Sequence, residues 1–288
     1  MPGAPDLLYS EAEDDLRAAV RSLLADRCDP AAVLARTESP EGPYDPALWR
    51  SLAGEMGAAG LLVPEKLGGQ GASAREAAVV LEELGRSVAP VPYLTSAVLA
   101  VETLLGCDTQ AEPVAGLLAA LAQGRTVGAL AVPLPTAPGP LPEPTVRADA
   151  DGVLDGRVSS VADAAAADVL LVPALRPDGS LGLYAIETAA GGVGVEPVVP
   201  LDLTRPIAGV VLHGVPGRLL ADSGTASDAL GRGLLAGAGL LASEQLGLAE
   251  WCLLETVRYT GERHQFGRPV GSFQAVKHRL AALWLELV

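Results

Sequence analysis

The residues best suited to chemistry lie at positions 258–281, in the stretch RYTGERHQFGRPVGSFQAVKHRLA. Arg263 offers a planar guanidinium that can grip a phosphate through two parallel hydrogen bonds. Phe266 offers an aromatic face for a flat heterocycle, and Gln274 an amide that can donate to phosphate oxygens. Gly267, Pro269 and Gly271 interrupt two helical patterns, so these side chains are predicted to meet at the corner of a helix hairpin. The N-terminus of the second helix adds positive potential there. On residue types alone this is a candidate nucleotide-diphosphate corner. The same residues also suit an ordinary helix hairpin whose arginine caps a helix C-terminus.

Other motifs fail on context. GRGLLAGAG at 231–239 sits in a helical pattern with no strand before it, and no helix pattern follows GGVGVE at 191–196, so neither meets the requirements of a dinucleotide fingerprint. No nucleophile elbow, zinc-protease helix or Walker loop is present. His213, His264 and His278 form no ligand cluster, and Cys28, Cys107 and Cys252 are far apart and odd in number. All three thiols are read as small buried hydrophobes, and no metal site is predicted.

Three kinds of segment must position the corner. Residues 1–125 read as a helical domain: Ser10 with Glu13 and Ser73 with Glu76 are capping boxes, Asp45-Pro46 is a helix start, and Gly85 fits a helix stop. Between two of these helices, LLVPEKLGGQGAS at 61–73 reads as an ordered loop. Residues 126–225 carry strand and turn composition, with seven prolines between 133 and 173 and the apolar runs GALAV, VLLVPAL and LGLYAIE. Asp155-Gly156 reads as a hairpin turn, and PIAGVVLHGV as the last strand. Residues 226–288 are helical again, with one helix from Ser227 to about His264. Glycines 231, 233, 237, 239 and 247 fall inside it. Each costs about 1 kcal/mol relative to Ala in a helix interior, so close contact with another helix is expected to offset them.

Bulk properties narrow the class. Thirty-five acidic against twenty basic residues give a net charge of −15, which repels nucleic acid and anionic lipid. No leader pattern opens the sequence, and charged residues interrupt the apolar runs before they reach a spanning length. A soluble cytoplasmic protein without nucleic-acid or membrane partners is expected. Hydrophobic residues make up 49% and aromatics only 3%, so the core is predicted to be packed with Ala, Leu and Val.

The corner motif RxxFGxxxxxFQ, followed by VKHRLA, resembles the segment of acyl-CoA dehydrogenases that touches the FAD of a neighbouring subunit. LLVPEKLGGQGAS resembles that family's N-terminal signature, and LWRSLAGEMGAAG at 48–60 its usual lead-in. Order and spacing agree from about residue 10 onward. The resemblance implies an α+β multidomain fold: a helical N-terminal domain, a small β-barrel-like middle domain and a C-terminal four-helix bundle. One long helix and the start of a second are present here, so the bundle is expected to be incomplete, either in a truncated chain or in a short subunit. The implied chemistry is FAD-dependent α,β-dehydrogenation of an acyl-CoA thioester, with Arg263, Phe266 and Gln274 as the cofactor-binding residues.

Departures from the family pattern sharpen this reading. In most members the catalytic carboxylate lies beyond the residues present here. In the isovaleryl-CoA dehydrogenase type it lies 26 positions before the motif arginine, which here is Gly237, and the arginine that follows it is Ala238. Glu244, seven residues on and about 10 Å along the helix axis, is the one candidate replacement; Gly247 matches a family glycine. The T-E-P and G-S-D text that meets a member's own flavin is replaced by VPLPTAPGP at 132–140. The aromatic and Thr/Ser pair after the hairpin is reduced to Ser159 and Ser160. Contacts to the chain's own flavin are thus eroded, while those to a neighbour's are intact. That asymmetry resembles the bacterial steroid side-chain type, built from two unlike subunits with FAD at the unlike interfaces. The leading expectation is a subunit that completes a partner's FAD site. A self-sufficient dehydrogenase and a catalytically silent scaffold that binds acyl-CoA or a partner protein are the alternatives.

Overall fold

The computed structural model describes residues 8–39 and 42–288. Helices come first: α1 (Glu11–Arg27), α2 (Pro30–Thr37), α3 (Pro46–Trp49), α4 (Ala74–Arg86), α5 (Val101–Leu105) and α6 (Glu112–Ala122). Both capping boxes form, Ser10 with Glu13 and Ser73 with Glu76, and the Asp45 side chain accepts from the Ala47 and Leu48 amides. Wide π-helical turns extend α3 over Arg50–Glu55 and lead into α5 over Tyr93–Ala100. The 61–73 segment is an ordered loop carrying a short 3-10 turn over Glu65–Leu67. The Gly69, Gln70 and Gly71 amides donate back to Pro64, Gly60 and Val63.

Eight strands follow: β1 (Gly128–Leu130), β2 (Val146–Ala148), β3 (Val153–Ala162), β4 (Val169–Leu175), β5 (Leu181–Glu187), β6 (Val193–Val198), β7 (Ile207–Pro216) and β8 (Arg218–Asp222). They form one sheet in the order β6-β7-β3-β2-β4-β5-β8, with β1 added in parallel to β4. β6 and β8 are its open ends, so the sheet does not close into a barrel. Two local expectations change. The turn is at Asp151-Gly152, where Gly152 has φ of +80° and the Asp149 carboxylate accepts from the Asp151 and Val153 amides. Asp155-Gly156 instead lies inside β3, where Gly156 marks a bulge against β7. A β-bulge and a hairpin turn call for the same permissive residue. PIAGVVLHGV is β7, and β8 follows it.

A helix of 40 residues, α7 (Ser223–Glu262), crosses the helical layer and projects past it. It leads through a hairpin, β9 (His264–Gln265) and β10 (Arg268–Pro269), to α8 (Gln274–Leu287). Three of the five interior glycines meet a neighbour. A methyl on Gly247 would overlap the Glu82 carbonyl, one on Gly237 would reach 2.9 Å from Leu99 Cγ, and one on Gly233 would reach 3.0 Å from the Leu99 carbonyl oxygen. Gly231 and Gly239 face open space. α4 ends at Arg86, one residue after Gly85, which is still helical and is buried where that helix presses its backbone on Glu244 of α7. Buried Glu83 ties the same crossing to α1, accepting from Arg17 Nη1 (3.1 Å) and from Arg21 Nε and Nη2 (2.8 and 2.7 Å). Arg86 pairs with Glu250 of α7.

Buried side chains are overwhelmingly Ala, Leu and Val, as composition predicts. Cys28 and Cys107 are buried but Cys252 is exposed. It sits on the projecting half of α7, which lacks a second layer over that face. For the same reason α8 buries no side chain, and Leu254, Val257, Trp284 and Leu285 are exposed. Among the described residues, no helix is long and apolar enough to cross a membrane, and no His, Cys, Asp and Glu group could hold a metal ion.

Candidate functional site

The corner is built by two turns. Phe266 and Gly267 both have positive φ, +53° and +76°, the geometry of a two-residue type I′ hairpin turn. Phe266 is not a residue that such a turn favours, and it is 91% exposed. The left-handed backbone costs of order 1–3 kcal/mol for such a side chain, and burial returns nothing. Its ring meets Phe273 edge-on at 6.1 Å, and the Arg268 guanidinium lies 3.9 Å over the Phe273 ring. Sequence reasoning missed Arg268 and the hairpin, because Phe-Gly lacks the Asn or Asp that advertises a type I′ turn.

Arg263 caps the C-terminus of α7, its amide donating to the Tyr259 carbonyl (2.9 Å). Its guanidinium is exposed and has neither an ion pair nor a hydrogen bond among the described residues. Gln274 opens α8, where no side chain caps the helix N-terminus, leaving its first amides free. Beside it, Ser272 Oγ is buried without a partner. The Val270 amide donates to the Arg263 carbonyl (2.7 Å), tying the end of α7 to the turn before α8, and no acidic side chain pairs with Arg263 among the described residues.

An apolar cavity lies elsewhere in the molecule. A cavity of about 470 Å³ lies between the helical layer, the sheet and α7, walled by Leu81, Leu84, Tyr93, Leu94, Leu134, Ile207 and Leu241. Glu244 lines it, but Arg205, from the β6–β7 loop, donates to it through Nε (3.1 Å) and Nη2, and also donates to the Thr204 carbonyl (3.2 Å). Two other carboxylates line the cavity among the described residues, exposed Asp202 and Asp163, which lies just after β3. Thr95 Oγ1 donates to its Oδ2 at 2.7 Å, and burial pushes its pKa up to about 6. Burial likewise pushes the Tyr44 phenol up to about 12. Gly237, Ala238, Ser159 and Ser160 do not line this cavity. Asp163 escaped sequence reasoning because nothing local distinguishes it: its partner Thr95 is 68 residues away.

The two places are far apart. Arg263 lies 19 residues beyond Glu244 on the same helix, or about 28 Å at 1.5 Å per residue. Within one copy of the chain, Glu244 and the trio Arg263, Phe266 and Gln274 do not form one site.

Comparison with known proteins agrees with this architecture. Residues 10–124 match the acyl-CoA dehydrogenase N-terminal domain, and residues 228–288 match the acyl-CoA dehydrogenase C-terminal domain. A relative in Mycobacterium tuberculosis, acyl-CoA dehydrogenase IpdE2, is 38% identical over 94% of this chain and 71% of its own length. Among solved structures, the Tcur3481-Tcur3483 steroid ACAD G363A variant superposes with a TM-score of 0.82 at 32% identity, over 96% of this chain and 74% of that one. The ChsE4-ChsE5 complex from Mycobacterium tuberculosis does so with a TM-score of 0.82 at 29% identity, over 98% and 76%.

Proposed function

Since the chain belongs to the acyl-CoA dehydrogenase family, we propose that it is a subunit whose corner at 263–274 completes the FAD site of an unlike family member. The reaction is the family's own, dehydrogenation of an acyl-CoA thioester. The observation that carries the subunit role is the unpaired Arg263 guanidinium, about 28 Å along α7 from Glu244, while Glu244 itself is taken up by Arg205. Two similar structures bear the names of two-protein assemblies, ChsE4-ChsE5 and Tcur3481-Tcur3483, which supports an unlike pair.

The corner fits a dinucleotide diphosphate. Arg263 would hold a phosphate, and the Gln274 amide and open amides of α8 would donate to its oxygens. Phe266, exposed on its strained turn, packs against a flat ring. FAD, when bound, supplies the acceptor for the hydride leaving the β-carbon. Removal of the α-proton needs a free carboxylate within hydrogen-bond reach. Glu244 is ion-paired and Gly237 has no side chain, so in this reading the partner supplies that base.

The test is flavin content. The chain purified alone is expected to be colourless, and co-expression with a complete family member should bring one FAD per unlike pair, read as flavin absorbance. Stoichiometric FAD and turnover by the isolated chain would overturn the reading, as would a purified pair that lacks flavin.

A further inference from the structure

Asp163 lines the cavity, and the flavin reading leaves it without a task. Its backbone is left-handed, with φ of +53°, a conformation that Asp and Asn tolerate better than most residues. It is held from both sides: its amide donates to the Pro206 carbonyl (3.0 Å) and its carbonyl accepts from the Ala166 amide (2.9 Å). With Oδ2 engaged by Thr95 (2.7 Å), Oδ1 has no hydrogen-bond partner among the described residues. The other ionisable groups lining the cavity are Arg205 and Glu244, paired with each other, Asp202, and the phenols of Tyr44 and Tyr93. Asp202 stands at the exposed rim, its Oδ1 accepting from the Thr204 hydroxyl (2.6 Å), where solvent and salt screen it. On the inner wall Glu244 is ion-paired with Arg205, and Asp163 is the carboxylate without an ion pair among the described residues.

We propose that Asp163 is a charge filter: it lets the cavity take the uncharged apolar end of an acyl thioester and turns away an acyl group that ends in a second carboxylate. A fixed carboxylate in a cavity walled by Leu81, Leu84, Leu94 and Leu241 repels a second anion much more strongly than it would in water, and Arg205, the cation lining the cavity among the described residues, is engaged by Glu244. The inference rests on the acyl-CoA part of the function above and not on its flavin part.

The test measures binding of hexanoyl-CoA and adipoyl-CoA, equal in chain length, to the full chain by calorimetry near pH 7.5. Apolar walls alone also disfavour a carboxylate, so the diagnostic quantity is what Asp163→Asn changes. Asn keeps the shape and tolerates the left-handed backbone. Adipoyl-CoA is expected to gain about tenfold in affinity, and hexanoyl-CoA to change less than about threefold. Asp202→Asn should leave both nearly unchanged. Should Asp163→Asn fail to fold, the native chain decides: near pH 5.5 Asp163, with its pKa raised to about 6, is mostly protonated. The adipoyl carboxylate, of ordinary pKa about 4.3, is not, so the preference for hexanoyl-CoA must shrink. A preference unchanged by both the substitution and the pH, or no measurable binding of hexanoyl-CoA, overturns the proposal. Flavin gained or not gained with a partner is a separate readout and does not move this one.

Discussion

Gly247→Ala probes the contact on which the position of Glu244 depends. α4 and α7 cross backbone to backbone: an added Cβ at Gly247 would overlap the Glu82 carbonyl oxygen, lie 2.7 Å from its carbon and 3.0 Å from the Arg86 amide nitrogen. Ordinary contact begins at 3.4 Å, so the helices must part by more than about 0.7 Å, the difference between 3.4 and 2.7 Å, against rigid backbone on both sides. Overpacking of this kind costs about 1–3 kcal/mol, while Ala gains about 1 kcal/mol over Gly in helix propensity. Gly239→Ala is the matched control, because that position lies in the same helix with nothing within 4 Å. Both variants share the propensity gain, so the difference between them isolates the clash at about 1–3 kcal/mol. With urea m-values of about 1–3 kcal/mol per M, Gly239→Ala should unfold at higher urea than the parent. Gly247→Ala should unfold about 1 M below that control. Coincident midpoints for the two variants would refute the crossing geometry, and with it the account of how Glu244 is presented to Arg205.

Three further outcomes follow from the same structure. Arg263→Ala, made in the unlike pair, should weaken FAD binding by about 2–4 kcal/mol, the loss of a charge-assisted phosphate contact, without lowering the stability of the isolated chain; unchanged flavin retention on gel filtration counts against the corner. Stability should depend on pH with two opposite signs. Asp163 has a folded pKa of about 6 against an ordinary 3.8, so the folded chain binds more protons between those values and stability falls as pH rises from about 4 to about 6. Asp163→Asn should remove that fall in urea midpoints. Glu13 is held at about 2 rather than 4.5, chiefly by its hydrogen bonds from Arg75, so its contribution is present above about 4.5 and lost as pH falls toward 2. Thiol titration of the native chain should modify Cys252 rapidly, while Cys28 and Cys107, whose pKa values burial pushes up to about 11, should react only after denaturation; rapid reaction of all three would contradict the packed helical layer.

What the sequence determined by itself was local. The capping boxes at Ser10 and Ser73 and the start at Asp45-Pro46 form as read, because each links residues at most three apart. The family motifs were legible for a related reason: the turns around Gly69, Gly71 and Gly267 impose fixed spacings on the residues beside them. Tertiary structure decided whatever depended on distant partners. It chose Asp151-Gly152 over Asp155-Gly156 for the turn, because pairing of β3 with β7 draws the second dipeptide into a strand. It gave Gly85, in the last turn of α4, a second role at a helix crossing, since only a backbone without Cβ can press on Glu244. It brought Arg205 to Glu244 across 39 residues and Thr95 to Asp163 across 68, turning a candidate base into half of an ion pair and an unremarked aspartate into the free charge of the cavity. Hydrogen bonds and ion pairs between distant residues leave no periodicity in the chain, so their chemistry becomes visible only when folding sets the partners side by side.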